Sequence, residues 1–195
     1  MGASAVIRLS RRGLLYRGRW LPVEIGRGGI TATKVEGDGA TPAGRLHITG
    51  MLYRPDRIAP PQPWAQPIGP RDLWCDAPED PQYNQQVAAP FAASHEALRR
   101  PDPLYDIVLL TDWNHPKAIP GKGSAIFVHQ RRRAGYPTAG CLALRRDHLI
   151  WIARTITRGA AIEIPFILAK ISRGDAPSGA GGQRPPLPRA NRDKA

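Results

Sequence analysis

Cys141 and His129 are the residues of this chain whose types and order suit nucleophilic acyl transfer. A thiol attacks as its thiolate, and a free cysteine is mostly protonated at neutral pH. A neighbouring imidazole that takes the proton therefore makes it a nucleophile. Gly140 removes side-chain bulk just before the cysteine, which leaves the backbone N–H groups of Gly140 and Cys141 to face a developing oxyanion. The competing reading is an inert core cysteine, a common fate of that residue type. The spacing of the pair does not choose between the two.

Other groups that could do chemistry have ordinary alternatives. His95 with Glu96, and His115, could serve a metal, but no third ligand stands at a recognisable spacing, and exposed loop residues are the expectation. His47 and His148 read as strand-face and helix-start residues. Asp106 and Asp112 could bind the amino group of a diamino acid or neutralise nearby arginines. The chain has two cysteines, Cys75 and Cys141, too few for a disulfide framework or a four-cysteine zinc site. A bridge between them would block the nucleophile.

The elements that must position these residues follow from pattern. Residues 5–9 and 19–25 read as the strands of a first hairpin, and 45–54 alternates as a longer strand. Residues 104–113 and 123–130 are apolar and β-prone, and are expected to pair at the centre, so that His129 ends a buried strand. The turn Pro137-Thr138-Ala139-Gly140 then presents Cys141. Apolar positions Leu149, Ile152, Ala153 and Ile156 predict one helix after the cysteine, with Asp147 as its N-cap. Residues 160–170 read as a last strand.

Between these elements, residues 37–44 read as a flexible loop outside the core, and the proline-rich stretch from Pro55 to Pro70 as a surface crossing. Residues 72–87 read as irregular, with Trp74, Tyr83 and Asn84 lining a cleft or packing under a loop. Residues 1–171 form the expected domain, and 172–195, with almost no apolar content, a disordered tail.

The chain of 195 residues carries a net charge of +12. Such a balance attracts polyanions without choosing among nucleic acid, acidic membrane surface and anionic cell-wall polymer. The arginine runs 131–133 and 145–146 read as solvated surface, and no nucleic-acid-binding signature accompanies them, so no nucleic-acid partner is expected. No apolar stretch is long enough to span a bilayer, and no secretion signal is visible near the start.

The stretch from His129 to Cys141, ending in Thr-Ala-Gly-Cys, resembles the His…[Ser/Thr]-x-Gly-Cys signature of the YkuD-like L,D-transpeptidase catalytic domain. Asp38-Gly39-Ala40-Thr41-Pro42-Ala43-Gly44 is similar to that family's Asp-Gly-x-Thr-Pro-x-Gly segment, and residues 123–129 to the strand that delivers its histidine. The likeness covers roughly residues 5–170. It implies a mainly β, sandwich-like fold with one short helix after the cysteine and long loops.

For the site, the resemblance implies Cys141 as the acyl-accepting nucleophile, His129 as its base, and the Gln130 carbonyl orienting the ring. Gly140 and Cys141 would form the oxyanion hole, and Thr138, Ser124, Asn114, Tyr83 and Asn84 would meet substrate. It further implies a cofactor-free, monomeric enzyme that cross-links peptidoglycan stem peptides to a diaminopimelate amine, in the periplasm or cell envelope.

The alternatives are a hydrolytic relative acting on stem peptides and a basic, non-catalytic binding module. Most members carry an arginine shortly after the cysteine, whereas here Cys141-Leu142-Ala143-Leu144 has none until Arg145. This chain is similar to a subgroup that also has Tyr-Asn and Ser-His-Glu segments, like Tyr83-Asn84 and Ser94-His95-Glu96. The departure leaves open whether the acyl donor is the third or the first stem residue.

Overall fold

A computed structural model describes residues 6–170. The tail expected over 172–195 lies outside the described residues. Short strands dominate, with a single α-helix, Arg146–Thr155, and two 3-10 turns among the described residues. The main sheet has ten strands. In spatial order they are Arg19–Leu21, Gly13–Tyr16, Ile7–Ser10, Ala161–Ile164, Gly44–Tyr53, Ile107–Thr111, Phe127–Gln130, Leu142–Leu144 and Val23–Glu24, with Gln66–Pro67 beside Gly44–Tyr53. The two ends of this order, Arg19–Leu21 and Val23–Glu24, are separated in the chain only by Pro22, so the sheet must roll round on itself. The roll encloses one core, in which Leu9 and Leu14 of the first hairpin join Leu142 and Leu144 and the helix residues Leu149, Ile152 and Ala153.

Strand alternation divides the central strands into two faces. Met51, Leu109, Val128 and Leu142 point into the main core. Their neighbours Leu52, Val108, Phe127 and Cys141 point the other way, into a second cluster with Trp74 and Tyr105. A separate three-stranded sheet, Asp72–Cys75 flanked by Gln86–Ala88 and His95–Ala97, covers that second face.

Several sequence expectations change. The first hairpin pairs Ile7–Ser10 with Gly13–Tyr16, and Arg19–Leu21 adds on as a third strand. Gly13 takes a positive φ of 114° at the tight turn, where a Cβ would meet the Leu21 carbonyl oxygen, so the chain reverses earlier than the apolar pattern suggested. Residues 104–113 begin with a 3-10 turn at Pro103–Tyr105, capped by Asp102, before the strand Ile107–Thr111. Residues 160–170 give a strand only over Ala161–Ile164, because Pro165 ends it. The helix N-cap is Arg145, while Asp147 sits in the first turn and pairs with Arg145. Residues 72–87 are not irregular throughout: they hold two strands of the small sheet.

The segment 37–44 departs furthest from expectation. Ala40 and Ala43 are buried, and Thr41 is fully so. Its polar groups have partners inside the fold, which removes the cost of burying them.

Candidate active site

The strands carrying His129 and following Cys141 lie side by side and parallel, with Val128 opposite Leu142 and His129 opposite Ala143. Stepping back one pair places Phe127 opposite Cys141. Because side chains alternate, His129 and Cys141 stand on the same face of adjacent strands, as diagonal neighbours. The expected pairing of Ile107–Thr111 with Phe127–Gln130 supports this ledge from the other side.

The ring of His129 is fixed by its Nδ1, 2.8 Å from the Gln130 carbonyl oxygen. That contact makes Nδ1 the N–H donor and leaves Nε2 the acceptor. The edge of the ring meets the Tyr105 ring, with centroids 5.3 Å apart. Burial pushes the imidazole pKa down to about 4.

The thiol of Cys141 donates to the Ala125 carbonyl at 3.0 Å and accepts from the Phe127 N–H at 3.4 Å. Burial, followed by the negative charge of Glu96, pushes it up to about 12. The resting pair is therefore neutral thiol and neutral imidazole, with the thiol held against the backbone of Ala125 and Phe127. Cys75 is also a free thiol. It belongs to a third apolar cluster on the opposite face of the small sheet from Trp74, so it faces away from Cys141.

Gly140 explains why the two motifs are distant in sequence but joined in space. Its φ is +143°, and a Cβ there would come within 3.0 Å of the Ala40 carbonyl oxygen and 3.1 Å of Ile126. Only glycine fits both the conformation and the contact. Thr41 Oγ1 donates to the Gly140 carbonyl at 2.8 Å and accepts from the Gly26 N–H at 2.8 Å. The 38–44 segment thus forms the bed on which the turn before Cys141 rests. Asp38 holds that bed in shape. Its burial opposes ionisation, but Lys34 Nζ at 2.6 Å and the N–H groups of Val35 and Ala40 outweigh it and keep its pKa below the ordinary carboxylate value.

Thr138 closes the turn, donating to the Cys141 carbonyl at 2.7 Å and accepting from the Gly140 N–H at 3.1 Å. The Gly140 N–H was expected to stand free for an oxyanion. In the resting structure it is held by Thr138 Oγ1, because the threonine hydroxyl reaches back over its own turn.

The residues expected to meet substrate are largely committed to the fold. Asn84 is buried, and all four of its amide bonds are made internally. Oδ1 accepts from Trp74 Nε1 and the Ala125 N–H, and Nδ2 donates to the carbonyls of Trp113 and Asn114. Asn114 bonds in the same way to Ile119 and Gly123. Asn84, Asn114 and Ala125 all take positive φ values, between 49° and 58°. Such conformations are costly for non-glycine residues, and here they set the Ala125 carbonyl against the thiol. Tyr83 and Ser124 both donate to Glu36 Oε2, Ser124 at 2.8 Å.

Asp106 is paired with Arg57 and Arg146, and Asp112 is hydrogen-bonded to the His47 ring. Among the described residues no group of three or more His, Cys, Asp or Glu could hold a metal ion. Two surface hollows, one lined by Arg19, Trp20 and Trp151 and one beside residues 24–30, do not include Cys141. Tyr105, Glu36 and the Ala125 carbonyl were missed by the sequence reading. Glu96 was read as a loop residue, a possible metal ligand and part of the Ser94-His95-Glu96 segment, without a role at the site.

The domain is mainly β and sets a glycine-preceded cysteine and a backbone-tethered histidine on one sheet face. The chain belongs to the L,D-transpeptidase catalytic domain family, YkuD, whose profile matches residues 4–164. Among solved structures, it is similar to an L,D-transpeptidase from Mycobacterium smegmatis, at 13% identity, covering 83% of this chain and 58% of that one with a TM-score of 0.39. It is also similar to Mycobacterium tuberculosis L,D-transpeptidase 1, at 15% identity, covering 82% and 59% with a TM-score of 0.36. The chain therefore spans under two thirds of those proteins. No curated protein matches it. No helix of the described residues is long and apolar enough to cross a membrane.

Proposed function

We propose that this chain is a peptidoglycan L,D-transpeptidase that works through a thioester on Cys141. The observation that carries the reading is the placement of His129 and Cys141 on one face of adjacent strands, with Nδ1 tied to the Gln130 carbonyl. Tethering Nδ1 leaves Nε2 with its lone pair outward, the form a general base needs.

In the first step, His129 Nε2 takes the thiol proton as Sγ leaves the Ala125 carbonyl and attacks a stem-peptide carbonyl. A C–S bond forms, the peptide C–N bond breaks, and the imidazolium returns the proton to the departing amine. In the second step, His129 Nε2 takes a proton from the acceptor amine as its nitrogen attacks the thioester; a new C–N bond forms, the C–S bond breaks, and the imidazolium returns the proton to the Cys141 sulfur. The Cys141 N–H and, after exchange with Thr138, the Gly140 N–H would receive the oxyanion. The resting pair carries no net charge, so the thiolate arises only when substrate excludes water and aligns the proton transfer. The substrate class implies a place at the cell envelope, on the side of the cytoplasmic membrane where peptidoglycan lies.

Incubation with purified muropeptides, followed by mass spectrometry, tests the reading. Cross-linked dimers from the parent and none from Cys141→Ala are expected. Shortened monomers would assign hydrolysis instead, and an unchanged profile from the parent would exclude both.

A further inference from the structure

The wall of the site that reaches His129 through Tyr105 carries carboxyl groups with no Lys or Arg at ion-pair distance. Elsewhere in this strongly basic chain the acids are matched: Asp102 by Arg100, Asp56 by Arg54 and Arg99, Glu163 by Arg8 and Arg45, and Glu24 by Arg131. The described acids with no Lys or Arg at ion-pair distance are Glu36, Asp72, Asp76, Glu79, Asp80, Glu96 and Asp112, the last of which meets the His47 ring. All but Glu36 and Asp112 lie on the small sheet or its loop. Arg100, which stacks on the Tyr105 ring, acts on Glu96 from a distance but is itself paired with Asp102.

Within that region, the side facing the thiol is defined by register. Glu96 stands opposite Trp74 across the small sheet, so both share a face. Trp74 packs edge-on against Phe127, with centroids 4.9 Å apart, in the cluster that contains Cys141. Glu96 accepts from the Tyr105 hydroxyl at 2.7 Å, and Tyr105 touches the His129 ring. Asp76 continues the same face two residues beyond Trp74, and its Oδ1 is buried without a hydrogen-bond partner. Both Asp76 and Glu36 are close enough to Glu96 to add, after burial, to the rise in its pKa. Glu36 and Glu96 accept bonds from hydroxyls and an N–H group, and a partly buried carboxylate in such surroundings gains from a cation that joins it. The described acids do not converge on a metal-sized point.

We infer that Glu96, backed by Asp76, is the specificity-determining residue that receives the ammonium group of the acyl acceptor. The inference rests on the transpeptidase reading above. The second step needs an amine that is protonated in solution to approach the thioester beside His129, and Glu96 lies on that side through Tyr105. The first step gains nothing from this charge, because Glu96 opposes formation of the thiolate. An arriving ammonium would in turn favour the ionised carboxylate.

The test follows the fate of one acyl-enzyme. A peptide donor is used to form the Cys141 thioester in the parent, Glu96→Gln, Asp76→Asn and, as a remote control, Glu163→Gln. The ratio of aminolysis to hydrolysis is then measured against concentration of a cationic diamino acid. A parallel series uses methoxyamine, an acceptor that is uncharged at the assay pH. Because the readout is a ratio, it does not depend on how fast each variant acylates.

Glu96→Gln keeps the Tyr105 hydrogen bond. It is expected to raise the KM for the cationic acceptor by on the order of tenfold, the size of one charge-assisted bond. Its ratio with methoxyamine should match the parent, Asp76→Asn should show a smaller change of the same sign, and Glu163→Gln none. Retained preference for the cationic acceptor in a folded Glu96→Gln protein would overturn the inference while leaving the transpeptidase reading intact. Absence of any thioester in the parent would overturn both.

Discussion

The two faces of the central strands are built to opposite rules. On the core face, Met51, Leu109, Val128 and Leu142 meet the helix and the first hairpin through apolar contact alone. On the other face, Phe127 and Cys141 share a smaller cluster with Trp74 and Tyr105. Around it lie three non-glycine residues with positive φ, a buried asparagine hub and carboxyl groups bonded to hydroxyls. The first face stabilises the sheet, and the second draws on that stability to hold unfavourable conformations and charges where chemistry needs them. Neighbouring positions at the start of one strand therefore differ in role: Leu142 packs the core, and Cys141 just before it is the proposed nucleophile.

Exchanging that neighbouring pair breaks the comparison most strongly. Cys141→Ala is expected to lower turnover of stem peptides by on the order of a thousandfold or more, with a small change in melting temperature. Leu142→Ala, at a fully buried position, should cost about 2–5 kcal/mol in denaturant unfolding, while the folded fraction still acylates.

Acid reads the same contrast through His129. The unfolded residue titrates near 6.5 and the folded one at about 4, so between these values the unfolded chain binds the extra proton. Stability present above pH 6.5 is thus lost as pH falls towards 4, by about 3 kcal/mol. Urea midpoints at pH 7 and pH 4 check this, and His129→Gln should remove that component.

Thr41→Val keeps the shape of a buried side chain but strands the Gly140 carbonyl and the Gly26 N–H. A loss of about 2 kcal/mol in stability is expected. A fall in acylation rate larger than the fall in folded fraction should accompany it. At the small end, Asp147→Asn removes an exposed ion pair with Arg145 and should leave the melting temperature unchanged.

Sequence showed the strand and turn around His129 and Cys141 better than the frame that holds them. An apolar run that ends in histidine and the Gly-Cys turn after it were legible, while the roles of the two residues rest on the family resemblance. The pairing of residues 107–111 with 127–130 was legible from two β-prone runs of high apolar content. The bed under Gly140 was not. Asp-Gly-Ala-Thr-Pro-Ala-Gly has the composition of a flexible loop, and its burial depends on contacts with residues about a hundred positions away. The strands around Trp74 were hidden by prolines on either side. Asn84 looked like a cleft residue, since its type is the same whether its amide faces substrate or four backbone and indole partners. The acidic wall escaped notice because +12 describes the whole chain, whereas pairing is local.

The central claim is that Cys141 becomes acylated with His129 as its base. Intact-mass analysis of the protein mixed with a tetrapeptide stem donor, followed by peptide mapping, tests it most directly. The account predicts a single acyl adduct on the peptide containing Cys141 in the parent. The adduct should be absent in Cys141→Ala and formed on the order of a hundredfold more slowly in His129→Gln. An adduct on another residue, or equal rates in the parent and His129→Gln, would contradict it.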